Sequence, residues 1–359
     1  MGNLLCRMVS PALCPLLIAL CPLLIAFWLS SFILFNPFTP KFSIAMKKTF
    51  FTLCFGLLVA AAVAQEQAVY AQYQIHPVLI NPGYTGFENK HEIIGNVHSS
   101  WTGFSGAPTA YTLLYTAPVG DKLALGGGVF SEKSGNQNVM KLQLNYAFRF
   151  QIQKARIGLG LSTDFINRNL KSSLLDDPLV QTNDPLVEQS VNGQSIFDAT
   201  IGTYLMYDDR FFVSLSLPNA IRTRLDDVLV EEDDQQRTTL FEHYIFQFGY
   251  IANVVSQNFK IIPSITMRNV RDTPYQVDLN VQGRFLEEKL IAGLTFRPNN
   301  SGSMAFLLGS KYQQFQVTYS YDVAFSRFQK YNSGSHEISL SYSFARKASR
   351  PAAAEPAGM

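Results

Sequence analysis

The chain has 359 residues with 29 Lys+Arg and 27 Asp+Glu, a formal charge of +2, and 47% of its residues are hydrophobic. Four of those cations, Arg7, Lys41, Lys47 and Lys48, and all four cysteines, Cys6, Cys14, Cys21 and Cys54, lie before residue 65, so the rest carries 25 basic against 27 acidic residues. That balance excludes a strongly basic nucleic-acid binder, and the cysteine-free remainder suits an oxidising envelope compartment.

Taken in chain order, residues 1–45 repeat CPLLIA at 14–19 and 21–26 and read as an upstream extension from a start codon assigned too early. The alternative is an additional hydrophobic segment over 11–29, against which stand Pro11, Pro15 and Pro22. Residues 46–64, MKKTFFTLCFGLLVAAAVA, form a signal peptide: a basic start at Lys47 and Lys48, an apolar stretch, and a small-x-small site at Ala62-Val63-Ala64. Its apolar core is short for a membrane anchor, so export through the Sec route with cleavage before Gln65 is expected. Residues 65–90, QEQAVYAQYQIHPVLINPGYTGFENK, carry turn signals without alternation and are read as a periplasmic or lumen-tucked segment.

From there to residue 344 the dominant signal is period two. Met140, Leu142, Leu144, Tyr146, Phe148, Phe150 and Ile152 alternate with Lys141, Gln143, Asn145, Arg149 and Gln151, and the same pattern recurs at 275–285, 314–323 and 336–344. Fourteen such segments are predicted, near 91–100, 109–116, 122–131, 137–150, 154–165, 195–207, 210–217, 239–255, 259–268, 273–284, 287–296, 303–311, 314–323 and 336–344. Short connections (117–121, 151–154, 208–209, 256–258, 286–287, 312–313) alternate with longer ones (101–108, 131–136, 166–194, 218–238, 324–335), with 269–272 and 297–302 as short exceptions. Hydrocarbon offers backbone groups no hydrogen-bond partner, so a sheet enters a membrane only when closed on itself. The expected fold is therefore an all-β, transmembrane, antiparallel up-and-down β-barrel over 91–344, its short turns periplasmic. A soluble sandwich shares the alternation; the loop asymmetry, the 16 Tyr and 28 Phe and the final strand ending at Phe344 favour the barrel. Arg149, Arg156, Asp278, Arg284 and Asp322 are expected to face the lumen. Residues 345–359, Ala/Pro-rich and polar, read as a disordered tail.

Chemistry-bearing clusters are sparse. His76, His91, His98, His243 and His336 are isolated and lack metal-ligand spacing, so no metal and no cofactor is expected. His98 and Ser100 share a strand face, the start of a hydrolase triad for which the sequence marks no third member. The acidic residues Asp226, Asp227 and Glu231 to Asp234 read as a solvated loop tip, since no calcium-loop glycine accompanies them. Gly126 to Gly128, Gly158 and Gly160 are strand glycines, since no helix follows to make a phosphate loop.

Three passages carry a family resemblance: YQIHPVLINPGYTG (73–86), WTGFSGAPTAYTL (101–113) and the stretch from Arg297 to Phe344. Their order and spacing resemble the PorP/SprF family of type IX secretion system membrane proteins. The family pattern has NPAYAG where this chain has Asn81-Pro82-Gly83-Tyr84-Thr85-Gly86, and Asn in place of His76. The resemblance implies an outer-membrane protein of Bacteroidota, non-enzymatic, working in gliding-type machinery with the translocon or its periplasmic ring of lipoproteins and with secreted cargo or adhesins. It marks Asn81, Pro82, Gly83, Tyr84 and Gly86, with Trp101, Gly103, Phe104, Gly106 and Pro108, as candidate partner-contact or motif residues; plain turn formation and loop packing are the competing readings of both. The competing function is a passive porin for small solutes, since fourteen strands enclose a sizeable lumen.

Overall fold

The computed structural model describes residues 70–174, 190–221, 223–225, 241–254, 259–270, 273, 275–298 and 302–345. The upstream extension, the signal peptide, the acidic run at 231–234 and the tail beyond Ala345 therefore lie outside the described residues.

Alternating sequence produces alternating exposure. The strands are β1 (Lys90–Ser99), β2 (Thr109–Val119), β3 (Leu123–Ser134), β4 (Gln137–Ile152), β5 (Ala155–Leu170), β6 (Gln194–Tyr207) and β7 (Phe211–Leu217). They continue with β8 (Tyr244–Tyr250, prolonged past Ile251 by Ala252–Val254), β9 (Phe259–Asn269), β10 (Gln276–Phe285), β11 (Leu290–Arg297), β12 (Ser303–Tyr312), β13 (Phe315–Ala324) and β14 (Ser335–Ala345). Each pairs antiparallel with its sequence neighbours, and β1 pairs with β14 from Lys90↔Ala345 to Ser99↔His336, which closes a fourteen-stave barrel. The two-residue strand Thr223–Arg224 adds a side ladder to β6. No helix among the described residues is long and apolar enough to cross a membrane; the crossing elements are the strands.

On β4, Met140, Leu142, Leu144, Tyr146 and Phe148 point outward and are exposed, while Gln143, Asn145 and Arg149 are buried in the lumen. Leu113 and Leu308, each 60% exposed, belong to the same outer apolar belt, whereas Thr112, Thr318, Ser320, Ser339 and Asp278 are buried inside. This inside-out distribution, polar core and apolar skin, fits lipid as the outer solvent.

All fourteen predicted strands are present, with two corrections. The longer loop expected over 131–136 is a two-residue turn, because β3 runs to Ser134 and β4 starts at Gln137, with Gly135 taking the positive φ (57°) that the turn requires. The strand expected over 239–255 begins only at Tyr244. The turns 153–154 and 313–314 are likewise tight, entered by Gln153 and Gln313 at φ 50° and 53°. Lys90 and Ala345 lie at the same rim as these short turns.

Candidate functional site

The lumen is not empty. Residues 70–89 run inside the barrel as three successive 3₁₀ turns, Gln72–Gln74, Pro77–Leu79 and Pro82–Tyr84. A segment with no apolar periodicity cannot pack by a stripe, so it is held residue by residue through polar groups on the wall. Ala71 N–H donates to Glu337 Oε2 (2.7 Å), and Gln72 Nε2 donates to Glu337 O (2.8 Å) while Ser339 donates to Gln72 Oε1. Gln74 Nε2 donates to Asn280 Oδ1 (2.9 Å) and Thr295 Oγ1 (2.7 Å). Near the end of the segment, the Arg149 guanidinium donates to the carbonyl of Gly86 and, at 3.2 Å, to that of Gly120.

Tyr73 is the largest of the fully buried anchors. Its hydroxyl donates to Asp278 Oδ2 at 2.8 Å and its ring lies 4.9 Å from the guanidinium of Arg268. Asp278, fully buried, also accepts from Arg268 and from Gln276 Nε2 (2.7 Å), and Arg297 Nε stands 3.3 Å away while bridging on to Asp322. A buried carboxylate needs this many donors, because an unpaired charge there costs several kcal/mol, on the order of 3–5. Burial and the neighbouring Asp278 hold the Tyr73 phenol far above its ordinary range, so it serves as a donor at any physiological pH.

The Asn81-Pro82-Gly83 turn has a prepared seat. Asn81 Oδ1 caps the turn by accepting from Gly83 N–H (2.8 Å), while its Nδ2 donates to Thr203 O (2.9 Å) and Ser214 Oγ (2.7 Å). Opposite the turn, Gly158 and Gly160 of β5 and Gly202 of β6 face inward, and Gly160 is the direct register partner of Gly202. A Cβ on Gly202 would fall 2.0 Å from Asn81 Oδ1, one on Gly160 2.2 Å from Pro82 C, and one on Gly158 2.2 Å from Gly83 O. Glycine is required at all three for backbone to approach backbone. Gly83, where the family pattern has Ala, is itself tight: a Cβ there would meet Gly158 O and Gly202 O at 2.9 Å. Gly86 needs its positive φ of 60°, and Tyr84 packs edge-on against Tyr204 at 4.8 Å, in an aromatic cluster with Phe87 and Phe212.

The second predicted group lies elsewhere, at the long-loop rim. Trp101 N–H donates to Ser335 Oγ (3.2 Å), Thr102 N–H to Gly334 O (2.8 Å) and Ser333 N–H to Thr102 O (2.7 Å), so the loop is clasped to the β13–β14 connection. On its other side Gly135 N–H donates to Gly106 O (2.8 Å), and Pro108 O accepts from Ser100 N–H (2.8 Å). Gly103 and Gly106 take positive φ values of 88° and 77°, and Phe104 is exposed. The structure thus assigns the two motif groups to different places, lumen and rim.

The sequence left His98 and Ser100 without a third partner; the barrel supplies Glu337 from β14. Glu337 Oε2 is 3.2 Å from His98 Nδ1, and His98 Nε2 is 2.9 Å from Ser100 Oγ. The connectivity is that of a Ser-His-Glu triad, but the following amides, Trp101 and Thr102, already donate to Ser335 and Gly334, so they form no oxyanion hole. Glu337 instead ties the lumenal segment to the wall, accepting from Ala71 N–H of the segment and from Asn96 Nδ2 of β1 (2.7 Å).

The segment lies between two chambers. The one toward the long loops is lined by Tyr70, Asn81, Lys141, Asp164, Asp198 and Arg268 among others, and the one toward the short turns by His76, Tyr84, Arg156, Arg284 and Lys311 among others.

Residues 62–342 match the family model of the type IX secretion system membrane protein PorP/SprF. The chain belongs to that family. Solved barrels of similar layout include the CymD monoaromatic hydrocarbon channel (13% identity, 77% of this chain and 94% of that one, TM-score 0.47) and the Acinetobacter baumannii outer membrane protein Omp33 (10%, 72% and 98%, 0.42). A third is the Ralstonia pickettii toluene transporter TbuX (10%, 79% and 95%, 0.44). At these identities and scores the likenesses carry no functional argument. A search of curated proteins gave no match.

Proposed function

We propose that this family member is an outer-membrane component of the type IX protein secretion system that acts as a non-enzymatic partner in the export or surface display of secreted proteins or adhesins. The observation that carries this reading is the occupied lumen: Tyr70 to Asn89 fill the path that a passive porin would leave open, and they are bonded to the wall from Glu337 at one end to Arg149 at the other. A barrel so filled works through its two rims. The short-turn rim, where both ends of the barrel wall lie, faces the periplasm and its ring lipoproteins; the clasped loop with Trp101, Gly103, Phe104, Gly106 and Pro108 faces outward and offers Phe104 to a partner. The signal peptide at 46–64 accounts for delivery to the envelope.

The test is deletion of the gene, with comparison of secreted and surface proteins and affinity capture of the tagged barrel from solubilised outer membranes. Loss of particular large secreted proteins, with ring components or cargo in the capture, is the expected result. Unchanged secretion with altered small-solute uptake would sink the proposal and leave a porin.

A further inference from the structure

The chamber toward the short turns is polar, roomy and incompletely satisfied. Its volume of about 490 Å³ admits on the order of ten or more waters, far beyond what bridging a few groups needs. Its cations exceed its anions. Lys90 pairs with Glu92 (3.3 Å) and Arg156 with Asp209 (2.8 Å) and Glu88 (3.9 Å), while Lys260 and Arg284 share the single carboxylate of Glu288 at 2.5 and 3.3 Å. Among the described residues Lys311, on the same lining, makes no ion pair.

Three side chains deeper in the same lining, His76, Gln247 and Gln282, are each only 2% exposed and have unmet hydrogen-bonding capacity. Both ring nitrogens of His76, Nε2 of Gln282 and Oε1 of Gln247 lack partners; Glu92 Oε1, 3.9 Å from His76 Nδ1, is beyond hydrogen-bond reach. Buried polar groups left unmatched in this number mark a place where a ligand or ordered water belongs.

We infer that this chamber binds a peptide end bearing a free carboxylate, entering from the short-turn rim. The inference deepens the secretion-partner reading and rests on it for what supplies the peptide. Lys311, the Gln282 amide and the one N–H of neutral His76 are donors for a carboxylate. The Gln247 oxygen suits a peptide N–H, and the buried aromatic faces of Tyr204 and Phe212 suit an apolar side chain. A bare inorganic anion would use neither of the last two features.

The test uses the purified full barrel in detergent and the peptide fluorescein-Gly-Ser-Ala-Val-Leu, as free acid and as C-terminal amide, read by fluorescence anisotropy. The free acid is expected to bind at least tenfold more tightly than the amide, and Lys311→Glu to weaken it at least tenfold. Lys311 lies at the exposed rim, so heat-modifiable gel mobility should stay unchanged; Lys311→Gln, with intermediate weakening, is the milder check. Equal binding of acid and amide, no binding at millimolar peptide, or displacement by inorganic phosphate as effective as by free-acid peptide overturns the inference. Lost binding in Lys311→Glu with normal secretion overturns the chamber's role and leaves the secretion reading standing. Normal secretion after gene deletion, with peptide binding intact, overturns that reading and spares the chamber.

Discussion

Gly202→Ala should undock the lumenal segment while leaving the barrel folded. Alanine is no worse than glycine for a strand, so the wall itself loses nothing. Its Cβ, however, would stand 2.0 Å from Asn81 Oδ1, 2.8 Å from Pro82 Cδ and 3.0 Å from Gly83 N, and two of those three are rigid turn atoms. Overpacking of this kind costs about 1–3 kcal/mol. Shifting the turn also forfeits the buried donations from Asn81 Nδ2 to Thr203 O and Ser214 Oγ, at about 1 kcal/mol each. The total, about 3–5 kcal/mol, lowers the docked-to-undocked ratio by a factor on the order of a hundred to a few thousand at 1.4 kcal/mol per decade. Two assays read it: limited proteolysis between Tyr70 and Asn89 in detergent, and conductance of single barrels in planar bilayers. Gly127→Ala is the matched control, since a Cβ there meets only ordinary contacts at 3.7 Å. If Gly202→Ala and Gly160→Ala keep wild-type protease resistance and conductance, the glycine seat is not what holds the segment.

Tyr73→Phe removes one donor from Asp278 and should cost about 1–2 kcal/mol, whereas Arg268→Met, which strips a cation from the buried carboxylate, should cost about 3–5 kcal/mol. Heat-modifiable gel mobility against urea orders the two, and equal effects would refute the charge argument. Burial holds the His76 imidazole below its ordinary pKa; Glu92 and Glu337 oppose this, while Lys90 and Arg284 reinforce it. The undocked segment therefore binds more protons. Docking is fully stable above pH ~6.5 and weakens as pH falls from there toward the lowered docked-state value, by up to about 1.4 kcal/mol per unit. Proteolysis of residues 70–89 should rise between pH 7.5 and 5 in wild type and stay flat in His76→Asn; parallel profiles would show that another group is responsible. Leu113→Arg, placing charge on the outer face of β2, should cost about 2–4 kcal/mol in folding into lipid vesicles, and a neutral result would place that face away from lipid.

The strands were legible because every second side chain meets lipid, which makes the period-two signal strong wherever the wall crosses hydrocarbon. Their ends were less so. Beyond the apolar belt the ladders continue as polar hairpin, as at Ser131 to Ser134 and Gln137 to Val139, where outward positions need not be apolar and the pattern fades. The seat of the Asn81-Pro82-Gly83 turn left one signal, glycines alternating at 158 and 160 on inward-facing positions. That signal reads only as strand glycine until Gly202 is brought into register beside it. The third partner of His98 was invisible because Glu337 lies 239 residues away, joined to it only by barrel closure. The contents of the short-turn chamber were likewise hidden, since His76, Gln247 and Gln282 share nothing in sequence.

The lumenal segment also explains why the wall can carry so many buried polar groups. In an empty, closed barrel Asp278, Glu337 and Asn280 would each lose a partner that residues 70–89 supply. Wall and segment are therefore complementary surfaces of one core, with the apolar side of a normal protein interior replaced by hydrogen bonds and ion pairs. Such a core is directional: removing the segment exposes several unmatched groups at once, so docking should be cooperative and not a gradual loosening. In the short-turn chamber Lys311, which makes no ion pair among the described residues, shares a lining with the unmatched His76, Gln247 and Gln282.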